Sequence, residues 1–396
     1  MTRSLFVLLT VFAVFPAYAQ HTAASKNVTD SKAVYVEIPY ELSCGIPVIE
    51  ALVDGKPYRF LLDTGAPITI VVRRIVDELA LKPKKKTKKM GDANGVRKRQ
   101  QQLAIKNMTV GGIPFSTSNA LIIENDSYVF SCCDFDGIIG GDFLKRFAVK
   151  FDSRAKTVTL TTDAARLVLE QQKWEKMRVY SSKTYTPIKL NDGRYNNILF
   201  DSGSGMQALD LDTASYNNYK QRNLLTFTDE EAGYGSSSVG LHGERVNEKA
   251  YRATAAEFSF GGHRLRNVPV QTSHTSNIGF VITSYGDVIL DYSRKRYCFI
   301  PHQEEISWTA ERNKISSWVK DSALAVSMVW GEELRKQVAI GDRIVMIGNK
   351  RLDDVDRCYR TKLSSLIEEH VTPEKNTILL ERANGEQYSV AADLFL

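Results

Sequence analysis

The chain has 396 residues, enough for two or three domains, and its 43% hydrophobic content is ordinary for a globular protein. The net charge of +6 is modest. With no nucleic-acid recognition motif and no Cys-x-x-Cys or His-Glu-x-x-His spacing, the residues give no reason to expect nucleic acid, a metal or any other cofactor.

Met1-Thr2-Arg3-Ser4, an apolar run over 5–16 and then Ala17-Tyr18-Ala19 supply the basic, apolar and small-residue parts of a secretory signal. Cleavage after Ala19 is expected, with the protein exported to the periplasm or secreted. Residues 20–32 are small and polar and read as a flexible lead.

A first β unit is expected over 33–162. Val34-Tyr35-Val36-Glu37-Ile38 alternates, and Ile46-Pro47-Val48-Ile49-Glu50-Ala51-Leu52-Val53 leads through a turn to the strand Phe60-Leu61-Leu62, which ends in Asp63-Thr64-Gly65-Ala66. A carboxylate at the end of an apolar strand is expensive to bury unless hydrogen bonds or a shared proton compensate it, so Asp63 points to chemistry. Residues 73–81 read as a short helix. Between Lys82 and Lys106 the chain concentrates cations, including Lys84, Lys85, Lys86, Lys88 and Lys89, around the turn Gly91-Asp92-Ala93-Asn94-Gly95. Strands over 101–110 and 115–123 follow, and then Ile138-Ile139-Gly140 precedes Ala148-Val149-Lys150-Phe151-Asp152.

Residues 163–183 read as a helical connector anchored by Leu167, Leu169 and Trp174. A second unit over 184–302 repeats the first. Leu199-Phe200-Asp201-Ser202-Gly203-Ser204 matches the earlier acid-bearing stretch, and Asn277-Ile278-Gly279 precedes Val288-Ile289-Leu290-Asp291. Asp63 stands 77 residues before Gly140 and Asp201 stands 78 before Gly279. From each glycine to the later acid, Asp152 or Asp291, the interval is 12. Such an internal repeat sets the architecture. A linker is expected over 303–320. Residues 321–396 then read as a strand over 323–330, a short helix over 331–338, Ile344-Val345-Met346-Ile347, a helix with Leu363, Leu366 and Ile367 on one face, and two strands about Asn384-Gly385. Of five cysteines, Cys132 and Cys133 are the expected participants in one or two bridges, with partners not readable from sequence.

Asp63-Thr64-Gly65-Ala66 and Asp201-Ser202-Gly203-Ser204, each followed by two residues and a glycine near the end of its unit, resemble the aspartic peptidases, with Asn277 in place of an apolar residue in the second. The Gly137-Ile138-Ile139-Gly140-Gly141-Asp142-Phe143-Leu144 run resembles their retropepsin-like bacterial branch, and the likeness covers roughly 45–302. It implies a mainly β protein of two duplicated β-barrel lobes, the acid protease fold, with one catalytic aspartate per lobe. The residues over 339–349 resemble the centre of a bacterial PDZ domain, implying a small α+β unit. Ile347-Gly348-Asn349 departs from that pattern, and no Gly-Leu-Gly-Phe-like loop precedes Ala323.

By this resemblance Asp63 and Asp201 share one proton and activate a water against a peptide bond. Thr64 and Ser202 brace the loops, the amides of Gly65 and Gly203 bond the carboxylates, and Gly140 and Gly279 support them. Flap candidates are Gly91, Asn94 and Gly95 in one lobe and Gly233, Tyr234 and Gly235 in the other. Ser204 can hydrogen-bond Asp201 where Ala66 cannot serve Asp63, which makes Asp63 the expected proton holder. The expected function is an endopeptidase acting as a monomer on peptide or protein. Its alternatives are a non-catalytic peptide-binding scaffold and a dimer using Asp63 alone. The 84–89 cations offer contact with an anionic envelope surface.

Overall fold

Apolar runs and alternating segments fold as strands through most of the chain, and helices are few and short. The structure is a computed structural model that describes residues 33–396 apart from 126, 206, 237, 245–247, 309–311, 321, 353, 354, 356, 357 and 359–362. The expected signal over 1–19 and the lead over 20–32 lie outside the described residues.

The first unit is an eight-stranded sheet in the order Glu41–Ser43, Ile46–Val53, Lys56–Leu62, Gly137–Ile139, Ile70–Val72, Ile113–Ile123, Arg97–Val110, Thr87–Gly91. Pairing of Ile46–Val53 back onto Arg97–Val110, with Ala51 opposite Val110, closes it into a barrel. The second unit repeats this order strand for strand: Arg178–Tyr180, Lys183–Lys189, Tyr195–Asp201, Asn277–Gly279, Leu209–Asp212, His263–Ser273, Glu248–Phe260, Phe227–Gly235. Lys183–Lys189 closes it against Glu248–Phe260, with Ile188 opposite Phe260. Closure leaves no long free edge and lets the inward side chains form one core per barrel.

A six-stranded antiparallel sheet joins the two units. At its centre Ala148–Asp152 pairs with Gly286–Asp291, so the segments placed at equal intervals after Gly140 and Gly279 meet each other, Phe151 opposite Val288. Rings from both units pack above this seam: Phe151 lies edge-on to Phe280 at 5.4 Å and near Phe200 at 6.2 Å. Aromatic side chains of this size supply much of the apolar area removed from water. Phe151 and Phe200 are fully buried, which fixes the residue before Asp201 against the joining sheet.

The 163–183 segment is not the helix expected. It makes one 3-10 turn, Ala164–Leu167, and then two short strands, Glu175–Lys176 and Arg178–Tyr180. Leu169, read as an anchor, is 61% exposed. Without an apolar stripe the segment gains more by extending the joining sheet, where Glu175 pairs with Tyr297 and Arg296 stacks on Trp174 at 4.2 Å.

The C-terminal sheet starts at Ile315–Lys320, earlier than the expected boundary at 321, and the short helix expected over 331–338 is a 3-10 turn, Leu334–Lys336. Its Ala323–Trp330 strand pairs with Phe227–Gly235 of the second barrel. Arg252, 5% exposed, fastens this junction: it bonds Glu231, donates to the Asn313 carbonyl at 2.6 Å and lies over the Trp330 ring at 4.5 Å. A buried guanidinium is tolerable because acid, carbonyl and ring all face it.

Cys132 and Cys133 are both bridged, to Cys358 and Cys44 respectively, and Cys298 is free and buried. The Cys132–Cys358 bond spans 226 residues and ties the first barrel to the C-terminal unit, beside a Tyr128–Trp318 ring contact at 4.2 Å. Cross-linking so long a loop removes much conformational freedom from the unfolded chain. Cys358→Ser is therefore expected to lower the unfolding free energy by about 2–4 kcal/mol. Urea unfolding of the variant and of the reduced parent should show the same direction of loss.

Candidate active site

Each acid is delivered by the same local pairing. Phe60, Leu61 and Leu62 lie parallel to Gly137, Ile138 and Ile139, which run antiparallel to Ile70–Val72. In the second barrel Leu199, Phe200 and Asp201 lie parallel to Asn277, Ile278 and Gly279, which run antiparallel to Leu209–Asp212. The chain after each acid must loop out and return beside its own strand. Gly140 and Gly279 permit that return, because a Cβ at Gly140 would stand 2.8 Å from the Ala66 carbonyl oxygen and one at Gly279 would stand 2.8 Å from that of Ser204.

The two loops meet tip to tip. The Thr64 hydroxyl donates across to the Phe200 carbonyl at 2.7 Å, and the Ser202 hydroxyl donates to the Leu62 carbonyl at 2.7 Å. Each hydroxyl also accepts the other loop's amide: Ser202 N–H to Thr64 Oγ1 at 3.0 Å, and Thr64 N–H to Ser202 Oγ at 2.9 Å. Both side chains are fully buried, so these four bonds satisfy groups that water cannot reach.

Above this clasp the carboxyls of Asp63 and Asp201 come within hydrogen-bonding reach of each other. Each sits against the other loop's glycine. A Cβ on Gly65 would stand 2.5 Å from Asp201 Oδ1, and one on Gly203 would stand 2.8 Å from Asp63 Oδ2. Asp63 Oδ1 accepts the amides of Gly65 at 2.7 Å and Ala66 at 3.0 Å, while Asp201 Oδ1 accepts that of Gly203 at 2.9 Å. Each acid keeps part of its surface open although protein surrounds it closely.

Burial, and then the charge of Asp201, hold the Asp63 carboxyl well above the usual carboxylate range. Burial raises Asp201 as well, opposed by the Gly203 amide, the Asp63 proton and the positive charge of Lys183. Both carboxyls are thus held above the usual range, and the proton they bind belongs to the pair. The hydroxyl of Ser204, expected to favour the charged form of Asp201, makes no hydrogen bond to it. Ser204 acts through its backbone, donating its amide to the Asp201 carbonyl and accepting from Phe280 N–H at 2.6 Å. Lys183, which sequence reading did not single out, supplies part of the asymmetry. It lies far from either motif along the chain and carries no local signal.

The expected flaps behave differently from each other. In the first barrel Gly91, Asn94 and Gly95 form a hairpin tip as expected, with Gly95 at φ +78°. The tip reaches the second barrel, where Asn94 Nδ2 donates to the Gly243 carbonyl at 3.1 Å, Ser238 donates to Asn94 Oδ1 at 2.8 Å, and Asp92 Oδ2 accepts the His242 amide at 3.0 Å. Gly233, Tyr234 and Gly235 do not form a mobile flap. They pair with Trp330, Val329 and Met328, and a Cβ on Gly233 would meet the Trp330 ring at 2.5 Å. These glycines admit the neighbouring sheet instead of loosening the chain. The second barrel's tip is the stretch around 238–243.

Residues 49–143 match the aspartyl protease family model. That span carries Asp63, the first hairpin tip and Gly140, about a quarter of the chain. No curated protein matches the chain. The family match and the β-barrel architecture together support a peptidase of the retropepsin-like kind.

Proposed function

We propose that the chain is a single-chain aspartic endopeptidase with Asp63 and Asp201 as its catalytic pair, one from each lobe. The observation that carries this reading is the pair of carboxyls in mutual contact on loops clasped by Thr64 and Ser202. The charged member accepts a proton from a water as that water's oxygen bonds the scissile carbonyl carbon. The protonated member donates its proton to the carbonyl oxygen, and collapse of the resulting gem-diol breaks the C–N bond as the amine takes up a proton. The dimer alternative fits poorly, because the position a partner copy's Asp63 would take is filled by Asp201.

Both disulfides favour an oxidising compartment, in keeping with export to the periplasm or outside. The 315–396 unit is read as PDZ-like, and its sheet pairing with the second lobe makes it a brace for that lobe. We take the working form to be a monomer acting on peptide or protein.

Casein cleavage blocked by pepstatin tests the proposal, assayed from about pH 3 to about pH 8. Activity needs the one-proton state, so it should fall on the acid side as the pair gains a second proton and on the alkaline side as the shared proton leaves. The raised Asp63 moves the alkaline limb above the usual carboxylate range. A folded protein with no cleavage anywhere in that window would favour the scaffold reading.

A further inference from the structure

The first hairpin carries positive charge on both faces. Its register sets Lys89 opposite Arg99 and Gly91 opposite Arg97 on one face, with Lys88 opposite Gln100 and Met90 opposite Lys98 on the other. Like charges placed directly across a ladder are destabilising. Among the described residues no salt bridge reaches Lys88, Lys89, Arg97, Lys98 or Arg99, and the first acids after Lys89 in the chain are Asp92 and Glu124. Asp92 accepts the amides of Asn94, Val96 and His242, and Glu124 is paired with Arg73 at 2.9 Å. A hairpin that sets five cations against one acid, Asp92, is arranged for an anion from outside.

The position of the hairpin says which anion. The joining sheet, with Phe151 and Phe200, occupies one side of the acid-bearing loops, and the hairpin tip bridges the barrels elsewhere by bonding Gly243 and Ser238. Lys98 and Gln100, on the face away from Lys89, Arg97 and Arg99, line a cavity of about 530 Å³ whose other walls include Glu124, Tyr128, Leu241, Trp318 and Val319. The tip therefore stands where the two barrels meet, as the acid-bearing loops do. A lipid surface suits the hairpin less well. No large apolar side chain is exposed on it to anchor in a bilayer, and its charge is split between two faces.

We propose that this hairpin recruits acidic stretches of a polypeptide substrate, so that carboxylates flanking the scissile bond raise the rate of capture. The proposal rests on the peptidase reading above and names the substrate class for that site. Electrostatic focusing of this kind acts on association and is weakened by salt.

The test uses two internally quenched peptides with one cleavable core, flanked by four glutamates or by four glutamines. With the parent, the glutamate peptide should show kcat/KM about tenfold higher at about 20 mM salt, and the ratio should approach one at about 500 mM. In K89Q/R97Q/R99Q the low-salt ratio should collapse toward one. In K89E/R99E the preference should pass to a lysine-flanked peptide, which a misfolded variant could not produce. A parent ratio of one, or a ratio unchanged in both variants, overturns the proposal. So does hairpin-dependent binding to phosphatidylserine vesicles without any peptide preference. If the folded parent cleaves neither peptide nor casein, the peptidase reading fails by itself. Anisotropy of fluorescein-labelled hexaglutamate then decides recruitment: binding lost in K89Q/R97Q/R99Q supports it and no binding sinks it.

Discussion

Replacing either Asp63 or Asp201 with asparagine is expected to lower kcat/KM for casein by about 10³–10⁴-fold, in each single variant alike. On the proposed reading the two acids act as one proton-sharing unit. Removing one abolishes both the base that activates water and the partner that keeps the other acid's proton in place. The double variant should be scarcely worse than either single one, because groups that work as a unit are not additive. Loss only in Asp63→Asn would point to a dimer in which Asp201 is idle.

The same substitution has a predicted signature in stability. Asp63 binds its proton more tightly folded than unfolded. As pH rises from the unfolded value of about 3.9 toward the raised folded value, the unfolded chain has released the proton and the folded one has not. Stability therefore falls across that window and levels off above it. Asp63→Asn removes this slope, so urea unfolding against pH should flatten there while activity is lost. A slope unchanged in the variant would show that the burial of Asp63 is not what raises it.

The second large effect belongs to the clasp. Thr64→Val keeps the shape but leaves the Phe200 carbonyl and the Ser202 amide without their partner in a fully buried place. An unsatisfied buried group costs about 1–3 kcal/mol, so a loss of about 2–5 kcal/mol is expected. Ser202→Ala strands the Leu62 carbonyl and the Thr64 amide in the same way. Thr64→Ser retains the hydroxyl and should hold most of the stability. Denaturant midpoints for the three variants measure this, and the Thr64→Val/Ser202→Ala pair should lose less than the two single losses combined. Activity should fall with the clasp even where the protein stays folded, since the spacing of the acids depends on it. If Thr64→Val proved as stable as Thr64→Ser, the four bonds could not be what holds the loops together.

Much of the site was legible along the chain. The apolar strands ending in Asp63 and Asp201 declared themselves because a carboxylate beside a fully buried Leu62 or Phe200 needs compensation. The matched glycines were legible because a chain that loops back beside its own strand needs a residue without a Cβ, and the intervals repeat. The turn at Gly91, Asn94 and Gly95 is legible in its residues, and its place in a flap hairpin in the family resemblance. Misreadings occurred where partners came from elsewhere. The glycines at 233 and 235 suggested mobility, yet they admit Trp330 and its strand. Three apolar residues in 163–183 suggest a helix, yet one of them, Leu169, points to solvent.

The amino-acid sequence by itself determined the β character, the duplication, the two acids and the residues that could brace them. The strands, the acids and the repeat are written in apolar periodicity, turn chemistry and matched intervals, while the bracing roles of Thr64 and Ser202 are what the family resemblance implies. Only the tertiary structure decided that the acids touch, that Thr64 reaches Phe200, that Cys132 joins Cys358, and that Lys183 biases the pair. Those contacts join residues far apart along the chain, and an apolar pattern states that a strand is buried without stating what it is buried against.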